Sequence, residues 1–522
     1  MRFYKIILIA LFCFLLNNNS ISQPHTEWVQ RYNSPGNYND YVTDIAIDKS
    51  GNVYLTGYTI KSTFDYDFLT IKYNNAGVFQ WSKTYDGSAH EYDAPVGIDV
   101  DDSGYVYIAG TSKDSITNFD YLLIKYDKFG DTVYVRKYNH SIFDEASSMC
   151  LDKQGNIFIS GSGMGCDTCI PGYLTVKFNS EGVYQWSRIY KGPTKSSDFV
   201  RDIIADSIGN LYVTGQVIGT MGTITIKYDQ QGDTIWTRES LNGGNILKIN
   251  LGNLFLMEAL HRIIKYDLDG DLFWSINIEG VYYDILVNGS NSIFLPGVKS
   301  TGMSGSSAIT KKLNLLGDSI WSNSFQVVSF SNNRVVSIAE DKNSNLFVTG
   351  HSDYNTPWNR FLTLSYDKSG NLLWSKDYNN NNPFLQHEAV KVKTDTSGNI
   401  FVAGISQGNG TGWDIALIKY SKLTGINKFS NIVPKEYKLY PNYPNPFNPL
   451  TNIKYEIPLL SDIEFLIINA SGKEIFKLTN SNVPPGNYNF EFNGNDIPSG
   501  IYFLRFIANN KLIKTHKLIL LK

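Results

Sequence analysis

An all-β fold is predicted for this chain by three features: a repeated tryptophan phrase, a repeated turn phrase and a composition rich in aromatic residues. The first phrase runs through a Gly-containing turn to a tryptophan: "IKYNNAGVFQW" ending at Trp81, "VKFNSEGVYQW" at Trp186, "IKYDQQGDTIW" at Trp236 and "LSYDKSGNLLW" at Trp374. The second precedes it: "DKSGNVYLTG" at 48–57, "DKQGNIFISG" at 152–161 and "DTSGNIFVAG" at 395–404. The 522 residues are 42% hydrophobic and 14% aromatic but only 18% charged, a balance that supports a buried core and argues against disorder. The formal net charge of −3 offers no global positive field for nucleic acid.

Residues 1–22 read as a signal peptide. Arg2 and Lys5 form the basic start, Ile6–Leu16 the apolar run, and Ser20, Ile21 and Ser22 the small-residue cleavage region. The run is too short for a membrane-spanning helix, and no later stretch is long and apolar enough for one. After cleavage three cysteines remain. Cys166 and Cys169 could close a local disulfide in an oxidising compartment. Cys150 reads as a small buried apolar residue.

The first full unit spans 41–85. "YVTDIAID", "NVYLTGYT", "DFLTIKYN" and "VFQWSKTY" alternate as four strands, A to D, with Asp/Asn–Gly turns between A and B and between C and D. Those turn Asp side chains satisfy turn amides, so they are not read as calcium ligands. Strand D recurs at Trp28, Trp81, Tyr134, Trp186, Trp236, Trp274, Trp321 and Trp374, at intervals of 38 to 53 residues, the period of a propeller blade. The A–B–C sets begin near 41, 94, 145, 199, 245, 283, 334 and 388. The prediction is therefore an eight-bladed β-propeller over 23–421. The isolated strand D at 27–32 completes the last blade and closes the ring, which removes free edges. The competing arrangement gives the last blade its own strand D around Phe429.

The tryptophans Trp28, Trp81, Trp186, Trp236, Trp274, Trp321 and Trp374 are expected to dock against the neighbouring blade. Lys72, Lys125, Lys177, Lys227, Lys265, Lys312 and Lys419 recur near the end of strand C and are expected to be solvated or paired with a turn Asp. The phrase Y-[DN]-x-x-G-x-x-x-W resembles the tryptophan-docking motif of quinoprotein alcohol dehydrogenases, with Tyr or Phe where that family commonly has Ala. That family's vicinal disulfide has no counterpart here. Through D-x-x-G-N-[VIL]-[YF]-[VIL]-x-G the units resemble the bacterial SBBP family of beta-propeller repeats over roughly 27–421. This resemblance implies architecture and little about activity.

A–B and C–D turns share one face of such a ring and are short and uniform. The B–C and D–A loops share the other and vary, so a ligand is expected there. Asp40, Asp93, Asp144 and Asp198 recur at the ends of the D–A loops, with Asn333 and His387 in later units. Converging at the channel mouth, they could bind Ca²⁺; the alternative is that each caps its own loop. Asp67, Asp120 and Asp414 begin strand C. Tyr66, Tyr92, Tyr121, Tyr173, Trp358 and Trp413 stand among these acids, a mixture suited to extracellular glycan or protein. No HExxH, GxSxG, P-loop or dinucleotide motif is present.

The pattern changes near residue 431, after a linker at 422–435. Residues 436–522 read as about seven short strands with Gly and Pro turns, an immunoglobulin-like β-sandwich. Tyr443-Pro444-Asn445-Pro446-Phe447-Asn448-Pro449, Thr451–Pro458, Gly486-Asn487-Tyr488, Ser499-Gly500-Ile501-Tyr502 and Leu520-Leu521-Lys522 make this segment closely resemble the type A C-terminal sorting domain of the type IX secretion system. It is also similar to the Ig-like domain of a flagellar hook-capping protein. The sorting resemblance implies a Gram-negative bacterium, recognition by the secretion machinery through 436–522, and release or attachment at the outer-membrane surface. Together these readings predict a secreted or surface-displayed binding propeller. The alternatives are an extracellular polysaccharide hydrolase or lyase using the channel-mouth acids, and a structural surface component.

Overall fold

Each repeat phrase folds into an antiparallel sheet because its alternating apolar residues need cover on both faces of a short ribbon. The computed structural model describes residues 24–522 apart from 165–169, 193–196, 219–221, 241–243, 259–260, 303–304, 354–355, 422–426, 431–433, 484 and 495–496. The proposed Cys166–Cys169 bridge and the signal peptide lie outside the described residues. All the regular structure described is β, and no helix among the described residues is long and apolar enough to cross a membrane. The chain divides into two units, Pro24–Lys422 and Leu423–Lys522.

In the first unit the described residues form eight sheets, the first built from Asn39–Ile47, Val53–Ser62, Asp65–Tyr73 and Phe79–Tyr85 in sequence order. The A–B turn at Asp48 shows why the phrase folds as it does. One carboxylate oxygen accepts the Ser50 and Asn52 N–H groups, both at 2.9 Å, and the other accepts Asn52 Nδ2 at 2.7 Å and Tyr54 Oη at 3.1 Å. Such a carboxylate is spent on its turn. The fifth sheet, although its sequence is eroded, keeps four strands, Gly244–Asn250, Asn253–Glu258, Arg262–Asp267 and Leu272–Asn277. In the sixth, strand A is broken into Val281–Tyr282 and Leu286–Asn288.

The core of this unit is a set of layers between successive sheets. Trp81 and Phe68 of the first sheet pack with Ile98, Ile108 and Ile124 of the second, and the same arrangement repeats from sheet to sheet. The last layer joins the eighth sheet to the first, through Phe401, Ile415 and Leu417 against Val42, Leu55 and Leu69. Strand D of the eighth sheet is His25–Tyr32, paired antiparallel with Gly412–Ser421. Phe429 belongs instead to Asn427–Ser430, which pairs with Gly486–Asn493 in the second unit.

At five of the eight junctions between sheets, among the described residues, an indole and an ammonium meet at one carbonyl and latch the sheets together. Trp186 Nε1 and Lys177 Nζ both donate to Gln230 O, at 2.9 and 3.1 Å, in the next sheet's C–D turn. Trp236 and Lys227 share Leu268 O, and Trp81 and Lys72 share Lys128 O. At the closure Trp28 and Lys419 share Asn75 O, at 3.3 and 3.1 Å. The expectation of solvated lysines is therefore corrected. Lys72, Lys125, Lys177, Lys227 and Lys419 are buried, and their ammonium groups reach across to a neighbouring turn rather than to its Asp. The turn glycine completes the latch. At Gly232, with φ of 82°, a Cβ would stand 2.7 Å from the Trp186 ring, so only glycine lets the indole lie flat.

Strand A, innermost in each sheet, carries a bulge, for example between Val42 and Asp44 and between Val200 and Asp202. The residue after the bulge reaches the next sheet, as where the Leu247 N–H donates to Asp202 Oδ2 at 2.8 Å; at the break in the sixth sheet's strand A the Ile338 N–H likewise donates to Asp284 Oδ2 at 3.3 Å. Bulges thus turn polar side chains toward the axis, where they join neighbouring strands.

The second unit consists of two four-stranded sheets. Ile453, Tyr455 and Phe490 of one sheet pack against Phe465, Leu504 and Phe506 of the other in one apolar cluster. The Pro- and Asn-rich loop braces the final strand, Lys511–Leu520. Asn445 accepts the Ile519 N–H and donates to Lys517 O, both at 2.9 Å, while buried Phe447 exchanges backbone hydrogen bonds with Ile519 and Leu521.

Candidate functional site

The face opposite the uniform turns is built from D–A and B–C loops, and its acids do not converge. Asp40, Asp93, Asp144 and Asp198 are all buried, each in a different sheet. Asp40 Oδ2 accepts the Ser34 N–H at 2.6 Å, Asp93 the Gly87 N–H at 2.6 Å, and Asp198 the Gly192 N–H at 2.7 Å. Asp144 accepts two, from His140 at 2.5 Å and Ser141 at 3.0 Å. Each therefore holds its own D–A loop, and the second oxygen, Oδ1, has no protein partner in any of the four. Burial pushes the carboxyls of Asp93 and Asp144 up to about 6. Among the described residues no group of three or more His, Cys, Asp or Glu side chains is placed to hold a metal ion, so these four carboxylates do not fit a shared Ca²⁺.

The acids that begin strand C are also occupied. Lys61 Nζ lies 2.5 Å from Asp67 Oδ2 and Arg31 Nη2 lies 2.6 Å from Asp414 Oδ2, while Asn139 and Thr117 donate to Asp120. Buried His387 stands where the earlier units have the loop-capping Asp. Its Nδ1 is 2.7 Å from Ser406 Oγ, and burial lowers it to about 4, so the imidazole is neutral.

The aromatic residues divide. Tyr121 and Tyr173 are fully buried and belong to the layers between sheets, so the expectation that they meet a ligand is corrected. Both lie four residues before a latch lysine, as the core residue Phe68 lies before Lys72, and that register was the overlooked signal. Trp358 is half-buried in its own loop, where its N–H donates to Thr356 Oγ1 at 3.3 Å. Tyr66, Tyr92 and Trp413 join an arc of half-buried rings.

That arc crosses the boundaries between the eighth, first, second and third sheets. Trp413 and Tyr41 have centroids 6.3 Å apart, Tyr41 and Tyr58 5.3 Å, Tyr58 and Tyr66 5.5 Å, and Tyr66 and Tyr92 5.5 Å. Phe119 and Phe143 extend it at 5.9 and 5.5 Å. Register explains the arrangement: Tyr58 pairs directly with Tyr41, and a parallel bridge ties Tyr66 to Tyr92 across two sheets. Tyr41, Tyr58 and Phe143 were missed in the sequence; the two tyrosines lie inside strands A and B, where alternation alone does not reveal a surface end. Burial and neighbouring phenols raise the hydroxyls of Tyr41, Tyr58 and Tyr92, which remain protonated donors.

Comparison with known proteins agrees with this architecture. Residues 442–521 match the family described as the secretion system C-terminal sorting domain, and residues 27–65 match the SBBP beta-propeller repeat. No curated protein matches the chain. Among solved structures, Sqt1 from Chaetomium thermophilum is similar at a TM-score of 0.52 and 8% identity, over 76% of this chain and 100% of that one. BamB from Moraxella catarrhalis matches at a TM-score of 0.45 and 10% identity over the same shares. The WD40 beta propeller domain of Doa1 matches at 0.37 and 11%, over 77% of this chain and 97% of that one. The likeness to Sqt1 is one of fold alone. The chain thus carries an SBBP beta-propeller repeat at 27–65 and a type IX C-terminal sorting domain at 442–521, and the sorting domain indicates secretion to the cell surface of a Gram-negative bacterium.

Proposed function

We propose that this protein is an eight-bladed binding module, delivered to the cell exterior by its immunoglobulin-like tail, whose loop-rich face holds an extracellular glycan or protein. The observation that carries this reading is the asymmetry of the ring. The turn phrases recur almost unchanged on one face, while the arc from Trp413 to Phe143 occupies one sector of the other. Variable loops on a rigid scaffold are where recognition concentrates. The face acids support binding better than turnover, since each is buried and committed to its own loop or to a strand neighbour.

Binding of the mature full-length protein to an array of polysaccharides and surface proteins tests this reading, with calcium and again with chelator. The expected outcome is retention of at least one polymer regardless of chelator. Silence against every probe would refute a binding role. Export is tested separately: removal of 442–522 should leave the protein in the periplasm, measured by fractionation, and its normal arrival at the surface would refute recognition through the tail.

A further inference from the structure

Four phenol hydroxyls cluster at the loop end of the boundary between the first and second sheets. The rings of Tyr41, Tyr58, Tyr66 and Tyr92 follow one another there with centroids 5.3, 5.5 and 5.5 Å apart. None of the four hydroxyls has a hydrogen-bond partner among the described residues, and none is sealed from solvent. Open to solvent and unspent within the protein, the four hydroxyls are free to exchange water for the polar groups of a ligand. Glu388 acts on Tyr41 and Glu145 on Tyr92. Neither carboxylate has a cation within ion-pair distance among the described residues. Asn359 Nδ2 donates to Glu388 at 3.1 Å.

We infer that this stretch of the arc, from Trp413 through the four tyrosines, is a platform for an uncharged polysaccharide chain. The inference rests on the binding role proposed above and adds its ligand class. Three properties select the occupant. The site is a line of rings, which suits a polymer lying across it better than a single small molecule in a pocket. Ring edges beside free hydroxyls meet the two surfaces of a pyranose, its apolar C–H face and its hydroxyl rim. The uncompensated Glu145 and Glu388 repel uronate and sulfated chains while accepting sugar hydroxyls.

Affinity electrophoresis of the mature full-length protein tests the inference. The gels contain neutral polysaccharides (xyloglucan, mannan, laminarin), anionic polygalacturonate or cationic chitosan. The expected result is retardation by at least one neutral polymer, weakened about tenfold or more in Tyr66→Ala and Trp413→Ala. It should be unchanged in Phe129→Ala, an exposed aromatic on the opposite face. Tyr58→Phe and Tyr92→Phe keep the rings and remove only the hydroxyls, so they remain informative if an alanine variant misfolds; each should still lose several-fold. Neutral-polymer binding that ignores all four substitutions overturns the platform but leaves the binding role intact. Retention only by chitosan or polygalacturonate overturns it in favour of charge. Retention only by a surface protein from the array overturns the ligand class alone, and no retention by any probe overturns both readings.

Discussion

At Asp93 and Asp144 a carboxyl is buried with one oxygen held by loop N–H groups and the other unpartnered, a state that favours the proton. Both are pushed up to about 6, against an ordinary carboxyl near 3.9 in the unfolded chain. The folded state therefore binds the extra protons. The contribution is fully present below about pH 4 and is lost as pH rises through 6, on the order of 2 to 3 kcal/mol per carboxyl. Asn333 occupies the equivalent position, and its Oδ1 accepts the Val327 N–H at 3.4 Å, so an amide can perform the capping without the charge. Asp93→Asn should therefore flatten the pH dependence of the urea midpoint between pH 4 and 6 and raise stability at pH 7. A midpoint difference from wild type that stays constant across that window would show that the carboxyl does not titrate there.

The element that repeats is the latch, one indole and one ammonium on one carbonyl of the next turn. Both partners of each latch were visible in the sequence as regular Trp and Lys, but their shared target was not. Gln230 lies 44 residues from Trp186 and 53 from Lys177, and nothing local in either phrase points to it. The turns were legible because their bonds are local: the Asp48 carboxylate serves Ser50 and Asn52 a few residues away. The candidate site fell between these cases. Tyr66, Tyr92 and Trp413 could be read from their loops, whereas Tyr41 and Tyr58 needed the strand register, and Tyr121 and Tyr173 were misplaced for lack of it. Lys177→Met keeps the buried stem and removes the charged donor, so it should cost about 1 to 3 kcal/mol. Trp186→Ala should cost about 3 to 5 kcal/mol because it also leaves a cavity. Trp186 and Lys177 share an acceptor, and only the double variant leaves that carbonyl without either donor, so it should lose more than the sum of the singles. Strict additivity in urea denaturation would show that the two donors act independently.

For the whole molecule, the strand His25–Tyr32 completes the eighth sheet and so ties the beginning of the propeller to its end. Only through it does strand Gly412–Ser421 gain a partner on its outer side, along a ladder running from His25 opposite Ser421 to Tyr32 opposite Ile415. The same short segment supplies Trp28 to the latch at Asn75, Arg31 to buried Asp414, and Glu27 to Lys419 at 2.8 Å. Elsewhere in the ring a blade contributes its outer strand from contiguous sequence; here the first and last parts of the propeller must meet, so closure is the most non-local step in its folding. Removing residues 24–32 leaves every loop of the candidate face in the chain but exposes the backbone of Gly412–Ser421 as an edge and uncovers Phe401, which packs on Trp28 at 6.0 Å. The lost indole burial alone is worth about 3 to 5 kcal/mol. The truncated protein should therefore melt at lower temperature and, because an unpaired edge templates strand addition, form dimers or larger species in size-exclusion chromatography. A synthetic peptide of residues 24–33 should reverse both effects by refilling the edge in trans, and its Trp28→Ala version should do so weakly. A truncated chain that stays monomeric with an unchanged melting temperature would mean that the ring holds through the layers between its sheets and that closure by the N-terminal strand is dispensable.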